Sequence, residues 1–302
     1  MIADPVTRRL DRCLACGGDD LTRLPVRYEH EGVAYPLAAC LACGIRFLRV
    51  QPAGETLEGL YAPAYFDRAF RCGRVAAASH DEAAFVEENR GLLDSFERLG
   101  PPGRLLEIGS AMGWLLKHAT ERGWRVQGVE LSAAAVAHAR GLGLDVMQGE
   151  LPGAGLPAGA FDLVYLGDVL EHVPDCRAVL AEVARVLAPG GHLVLRGPIT
   201  THSIARRVGM AGYELLGRDI VLREPPYHLW EFTPRSLLGL VARVGLSKVS
   251  LAQSKIPPGR PHGEKSPLQQ MAMAALDAVN VPITRALNAL GDRVVLVAQK
   301  PR

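Results

Sequence analysis

The chain has 302 residues, 48% of them hydrophobic, and its 34 basic and 32 acidic side chains leave a formal net charge of +2. That length suits a small module beside one larger domain with a sizeable core, and the near balance of charge argues against nucleic acid as a partner, which needs a basic face. No apolar run reaches the length of a transmembrane helix, the nearest being interrupted by Asp277, Pro282 and Arg285, so the expected compartment is the cytoplasm.

The first sixty residues carry one knuckle twice, Cys13-Leu14-Ala15-Cys16-Gly17 and Cys40-Leu41-Ala42-Cys43-Gly44. Each C-x-x-C turn presents two thiolates at one corner, and two such turns satisfy a tetrahedral zinc. Four protein ligands leave no open position, so the predicted role of a zinc on Cys13, Cys16, Cys40 and Cys43 is structural. A β-hairpin over residues 24–38 absorbs the length between the pairs. Disulfides are the competing reading, disfavoured because no signal peptide is evident and duplicated knuckles in an intracellular enzyme suit a metal better. Residues 1–60 therefore read as a zinc-ribbon-like module and residues 61–80, with Pro63 and Gly73, as a connector. Cys72 and Cys176 read as ordinary small residues.

Residues 81–98 have helical spacing through Phe85, Leu92, Leu93 and Phe96, with acids in the early turns as a helix dipole prefers. Next comes Arg104 to Ser132, RLLEIGSAMGWLLKHATERGWRVQGVELS. An apolar run ends at an acid and a glycine-bounded turn, a helical stretch follows, and a second apolar run ends at Glu130. A strand, glycine loop, helix and strand in this order build a nucleoside pocket at the carboxyl edge of an α/β sheet. Glu130 is placed to accept hydrogen bonds from both ribose hydroxyls. A dinucleotide fingerprint needs G-x-G-x-x-G, and here those positions hold Gly109, Ala111 and Trp114. The pattern therefore points to an adenosyl cofactor other than NAD.

The segment resembles motif I of the class I S-adenosylmethionine-dependent methyltransferases, acid-x-G-x-G-x-G, with Glu107, Gly109 and Gly113 matching and Ala111 at the middle glycine, where an alanine of negative φ is tolerable. Further matches follow in the family's order. Leu144–Leu151 resembles the third strand and its loop, Phe161–Val173 the fourth strand and its exit with Asp168 at the strand end, Glu182–Pro198 a helix, turn and fifth strand, and Asp292–Pro301 a closing strand. The resemblance covers roughly residues 80–302. It implies an α/β fold, a Rossmann-like, doubly wound, mostly parallel seven-stranded sheet with an antiparallel last strand. It also implies a cofactor site of Glu107, Gly109, Ser110, Gly113, Glu130, Leu131, Gly149, Glu150, Leu151 and Asp168.

Between the fifth strand and Ser247 lie about fifty residues that the bare fold does not need, so residues 199–246 are expected to form a substrate cap within a methyltransferase domain of 81–302. The cap holds PPYHLWEF, Pro225–Phe232, which resembles the Y-H-L-W-x-F-T-P segment of two-domain methyltransferases carrying a zinc ribbon. Tyr227, His228 and Trp230 are the substrate candidates. His172 and His228 are the candidate bases, each also readable as a packing or hydrogen-bonded histidine. The expected reaction is methyl transfer to oxygen or carbon of a small molecule, such as a sugar or natural-product intermediate. The alternatives are an RNA base methyltransferase with a zinc ribbon and a non-catalytic S-adenosylmethionine-binding protein. A helix over 267–290, bent at Pro282, is expected to pack Met271, Leu276, Val279, Ile283 and Leu287 into the core.

Overall fold

The computed structural model describes residues 6–60, 82–199, 201, 204–255 and 267–302. The connector at 61–80 and Cys72 lie outside the described residues.

Short apolar runs alternating with helices fold into one seven-stranded sheet. Its strands are β6 (Arg104–Ile108), β7 (Arg125–Glu130), β8 (Val146–Gln148), β9 (Phe161–Gly167), β10 (Leu187–Pro198), β13 (Ser247–Ser254) and β14 (Arg293–Gln299), in the order β13-β14-β10-β9-β6-β7-β8. β8, β7, β6, β9 and β10 run parallel, and β14 is antiparallel to both β10 and β13. Parallel neighbours need crossovers, which are supplied by α3 (Trp114–Glu121), α4 (Ala133–Gly141) and α5 (Cys176–Val186). α5 shows the local logic. Asp175 caps it by accepting the N–H groups of Arg177 and Ala178, and Val179, Leu180, Val183 and Val186 form its buried stripe. Alternate residues of the central strands feed opposite faces. Leu106, Ile108, Val164 and Leu166 enter one core cluster, while Leu105, Leu163 and Tyr165 join Phe96 of α2 (Val86–Glu97) in the other.

A second sheet has five strands. β2 (Leu21–His30) and β3 (Val33–Cys40) form a hairpin whose turn residues Glu31 and Gly32 have φ of 48° and 77°, the conformation of a two-residue turn matched to strand twist. β4 (Arg46–Leu48) pairs with β3, while β1 (Thr7–Arg9) and β5 (Val50–Pro52) form a separate pair that leads into α1 (Gly54–Leu60). The two outer strands of the five come from the expected cap. β11 (Ile220–Leu222), after α6 (Ile204–Leu215), pairs with β2, and β12 (Trp230–Glu231) pairs with β4. The N-terminal strands and the cap are thus joined edge to edge. Trp230 is fully buried at that seam, 5.6 Å from the ring of Phe47, and its Nε1 donates to the carbonyl of Val173 at 2.7 Å.

α7 (Pro234–Arg243) follows the seam, capped by Thr233 and Ser236 in a reciprocal box. Thr233 Oγ1 also donates to the carbonyl of Gly44, and Arg235 to that of Ala42 at 3.0 Å. α8 (Pro267–Leu287) contains Pro282 as expected, but the expectation that its apolar residues fill the core is corrected. Met271, Val279 and Leu287 are exposed, and Asn280 and Thr284 occupy the buried face instead.

Candidate cofactor and acceptor site

The loop between β6 and α3 turns sharply because three residues adopt positive φ: Gly109 at 71°, Ala111 at 46° and Gly113 at 82°. At Gly109 a Cβ would stand 2.5 Å from Val169, and at Gly113 2.7 Å from Leu144, so both close approaches require glycine. Ala111 corrects the expectation of a negative φ. Its backbone lies in the left-handed region that favours glycine, and the bond from its N–H to Glu130 Oε2 at 2.9 Å holds it there. Glu130 ends β7 and takes a second N–H, that of Ser132, on Oε1 at 2.8 Å. Its carbonyl accepts Gly149 N at 2.9 Å, which brings the loop after β8 alongside.

Beneath this loop Glu107 is buried, and burial, then the nearby Glu130 carboxylate, pushes its carboxyl well above the usual range. Glu107 Oε2 and Ser110 Oγ are buried atoms with no hydrogen-bond partner. Unpartnered buried polar atoms beside a glycine cradle fit a ligand with its own donors and acceptors, here the adenosyl cofactor that Glu107, Gly109, Ser110, Gly113 and Glu130 are expected to hold. Leu131, Gly149 and Glu150 line a cavity of about 540 Å³ together with Gln148, Pro152 and His172. Leu151 is buried next to it. The opposite wall comes from Leu57 and Glu58 of α1, which sequence reasoning did not place near the site. No local pattern in residues 54–60 signals the long-range fold that brings them there.

At the end of β9, Asp168 has φ of 56° and accepts Arg293 Nη2 at 2.5 Å. Arg196 lies 4.0 Å away and pairs with Glu88 of α2. Asp168 is therefore held in an arginine network at the sheet edge. One turn on, His172 Nδ1 donates to the carbonyl of Tyr227 at 2.9 Å, and the rings of His172 and His228 stand 4.9 Å apart. The two candidate bases are thus brought together. Tyr227 contributes its backbone to this junction, whereas Trp230 lies in the core behind it.

Glu171, which sequence reasoning missed, joins them. It is 2% exposed, with Oε1 3.9 Å from His172 Nε2, and the ligating atoms of Glu171, His172 and His228 all lie within 4.8 Å of one another. The signal that marks it in the sequence is a second acid three residues after Asp168, immediately before a histidine. Burial, then Asp168, raises its carboxyl to about 8. Burial, then the neighbouring His228, pulls His172 down to about 3, whereas burial opposes the charge on His228 but is outweighed by Glu231 and Glu171, so that His228 is raised.

In the N-terminal sheet the sulfur atoms of Cys13 and Cys43 are 3.7 Å apart and those of Cys16 and Cys40 3.5 Å, and all four lie within 4.8 Å of one another. A tetrahedron of thiolates at zinc–sulfur bonds of about 2.3 Å has sulfurs about 3.8 Å apart, so the four fit that ion. A hydrogen bond from Cys13 lowers the Cys43 thiol to about 5 and drives Cys13 up.

Residues 80–251 match a family model described as a methyltransferase domain. Among curated relatives, a ubiquinone biosynthesis O-methyltransferase of Ralstonia nicotianae is 29% identical over 49% of this chain and 64% of its own length. A nocamycin O-methyltransferase of Saccharothrix syringae is 36% identical over 33% of this chain and 39% of its own. The matched stretch thus spans less than two thirds of either relative. Two solved structures share the fold: a SAM-dependent methyltransferase from Archaeoglobus fulgidus (TM-score 0.52, 16% identity, 79% of this chain and 100% of that one) and the [4+2]-cyclase SpnF (TM-score 0.53, 20% identity, 83% and 97%). Among the described residues no helix is long and apolar enough to cross a membrane. With the family model covering more than half its length, the chain belongs to the S-adenosylmethionine-dependent methyltransferases of the class I fold.

Proposed function

We propose that the chain methylates a hydroxyl oxygen of a small-molecule acceptor in the cytoplasm. The observation that carries this reading is the cavity that runs from Gly149 and Glu150, at the cofactor loop, to His172. S-adenosylmethionine, when bound, supplies a methyl group already activated on a sulfonium. The chain's own residues do the rest. Glu130 is oriented by two backbone N–H groups and offers its remaining lone pairs to a ribose. Gly109 and Gly113 let the backbone approach, and Ser110 and Glu107 supply the buried polar atoms. The cluster of Glu171, His172 and His228 receives the acceptor hydroxyl and relieves it of its proton, which an oxygen acceptor requires. α1 and the loop after β8 line the cavity mouth through which the acceptor enters. The O-methyltransferase names of the relatives support oxygen as the acceptor atom.

Cys13, Cys16, Cys40 and Cys43 hold a structural zinc in this reading. The ion pins the knuckle whose carbonyls receive Thr233 and Arg235, and so steadies the segment carrying His228.

The test is cofactor consumption against a panel of hydroxylated sugars, phenols and lipids, alongside calorimetry with S-adenosylhomocysteine. Turnover on a hydroxyl acceptor, lost in Glu130→Ala, supports the proposal. Tight cofactor binding with no turnover on any acceptor would favour a binding protein, and the SpnF fold shows that this architecture alone does not dictate methylation.

A further inference from the structure

We propose that α1 supplies a wall of the adenine slot, with Leu57 lying against the purine across from Leu131, so that the cofactor site is completed by a residue from the N-terminal part of the chain. The inference rests on the adenosyl reading of the Glu130 loop. Leu57 stands outside residues 80–251, the stretch that matches the methyltransferase family model.

The position of the purine follows from that of the ribose. A ribose bonded to Glu130 carries its base within one residue's reach, and the residue there is Leu131, whose side chain is 45% exposed. Gly149 donates its N–H to the carbonyl of Glu130 and so sets the loop after β8 at the same place. Leu131 and Gly149 line the cavity of about 540 Å³, and Leu57 and Glu58 line that same cavity. A purine has two flat faces that favour apolar neighbours and an edge of donors and acceptors that needs polar ones. Leu57 and Leu131 offer aliphatic surfaces for the faces. Glu58 and Glu150 offer carboxylates, which only accept, for the exocyclic amine at the edge. The end of the cavity at His172 is left to the acceptor.

α1 is tied to the cavity by named bonds. β5 runs into it through Gly54, at φ of 51°, and Thr56 Oγ1 accepts the N–H of Val6, just before β1, at 2.8 Å. From β1 the guanidinium of Arg8 donates to Gln51 Oε1 in β5, from Nε at 3.1 Å and from Nη2 at 2.6 Å, and Nη2 also donates to the carbonyl of Pro174. Gln51 is fully buried, and Pro174 lines the cavity. Arg8 therefore fastens the strand pair carrying α1 to the loop that carries His172. It is a positioning residue, acting through the spacing of the two walls, and a slot held at its bound width costs a ligand less ordering.

The test is calorimetry on the full chain with S-adenosylhomocysteine and with 5′-methylthioadenosine, which keeps the nucleoside and lacks the amino-acid end. Leu57→Asp should weaken both ligands roughly tenfold or more, and by the same factor, because the contact is to the part they share. Leu57→Ala, the gentler change if Leu57→Asp does not fold, should weaken both roughly threefold to tenfold. Arg8→Ala should also weaken both with unchanged circular dichroism. Arg8→Lys, which keeps the charge without the planar fork, should not restore them. Parent affinity retained in both Leu57 variants overturns the proposal and leaves Glu130 as the ribose partner. A loss confined to S-adenosylhomocysteine also overturns it, since Leu57 would then touch the amino-acid end. A parent chain that binds neither ligand overturns the adenosyl reading itself, and the proposal with it.

Discussion

Glu130 Oε2 accepts the backbone N–H of Ala111, the one residue of the cofactor loop that carries a Cβ at positive φ. The bond fastens an alanine in a conformation that costs an L-residue about 1 to 2 kcal/mol. Glycine relieves that strain but loses more freedom on folding. Ala111→Gly is therefore expected to stabilise the protein by about 0.5 to 1 kcal/mol, seen as a higher urea midpoint with an unchanged slope. A lower midpoint would show that the loop is unstrained.

Glu130→Ala removes the acceptor of two loop N–H groups as well as the ribose partner. S-adenosylhomocysteine affinity should fall at least tenfold, or about 1.4 kcal/mol, by calorimetry. Equal affinity in parent and variant would remove Glu130 from the cofactor site.

Glu107 gives a pH dependence whose sign follows from its raised folded-state pKa. Between the ordinary carboxyl value and the raised one, the folded chain holds a proton that the unfolded chain has released, so stability falls as pH rises through that window. Glu107→Gln keeps the shape without the charge. Its cofactor-free melting temperature should exceed the parent's at pH 8 by more than at pH 5, with an excess of roughly 2 to 4 °C for each kcal/mol regained. Parallel pH profiles for the two proteins would refute this.

With zinc held by the four cysteines as proposed, Cys40→Ser should abolish stoichiometric zinc, measured by elemental analysis. Loss of order is expected to reach Thr233 and Arg235 through the carbonyls of Gly44 and Ala42. Hydrogen exchange should quicken in residues 227–235, with little change at the loop of residues 109–113. Stoichiometric zinc in the variant would contradict the ligand assignment.

Trp230→Ala empties a fully buried site and strands the Val173 carbonyl, at an expected cost of about 3 to 5 kcal/mol. Trp230→Phe should cost less, mostly the hydrogen bond. A change of acceptor KM without loss of stability would instead mean that the indole reaches the cavity.

The sheet was legible in the sequence because its strands are local apolar runs bounded by glycine and acid, and because the loop chemistry of Gly109, Gly113 and Glu130 is written in consecutive residues. The pairing of His172 with His228 was legible only as two candidates, since the contact between them depends on β12 pairing with β4. Strands of two and three residues carry no periodicity of their own, so neither that pairing nor the arrival of α1 at the cavity is visible in a local pattern. Glu171 was hidden for a related reason: its burial comes from elements remote in the chain. Ala111 misled because φ is not encoded by composition when a neighbouring carboxylate can hold an alanine in a glycine's conformation.

The edge-to-edge joining of the N-terminal strands to β11 and β12 has a consequence for biosynthesis. Nearly two hundred residues separate β4 from its partner β12, so the strands made first present an open edge while most of the chain is still being translated. Contacts so distant form late, and an uncovered edge invites pairing with other chains. The cysteine knuckles offer one way to hold β2, β3 and β4 together during that interval, as a metal that binds early can stand in for neighbours not yet made.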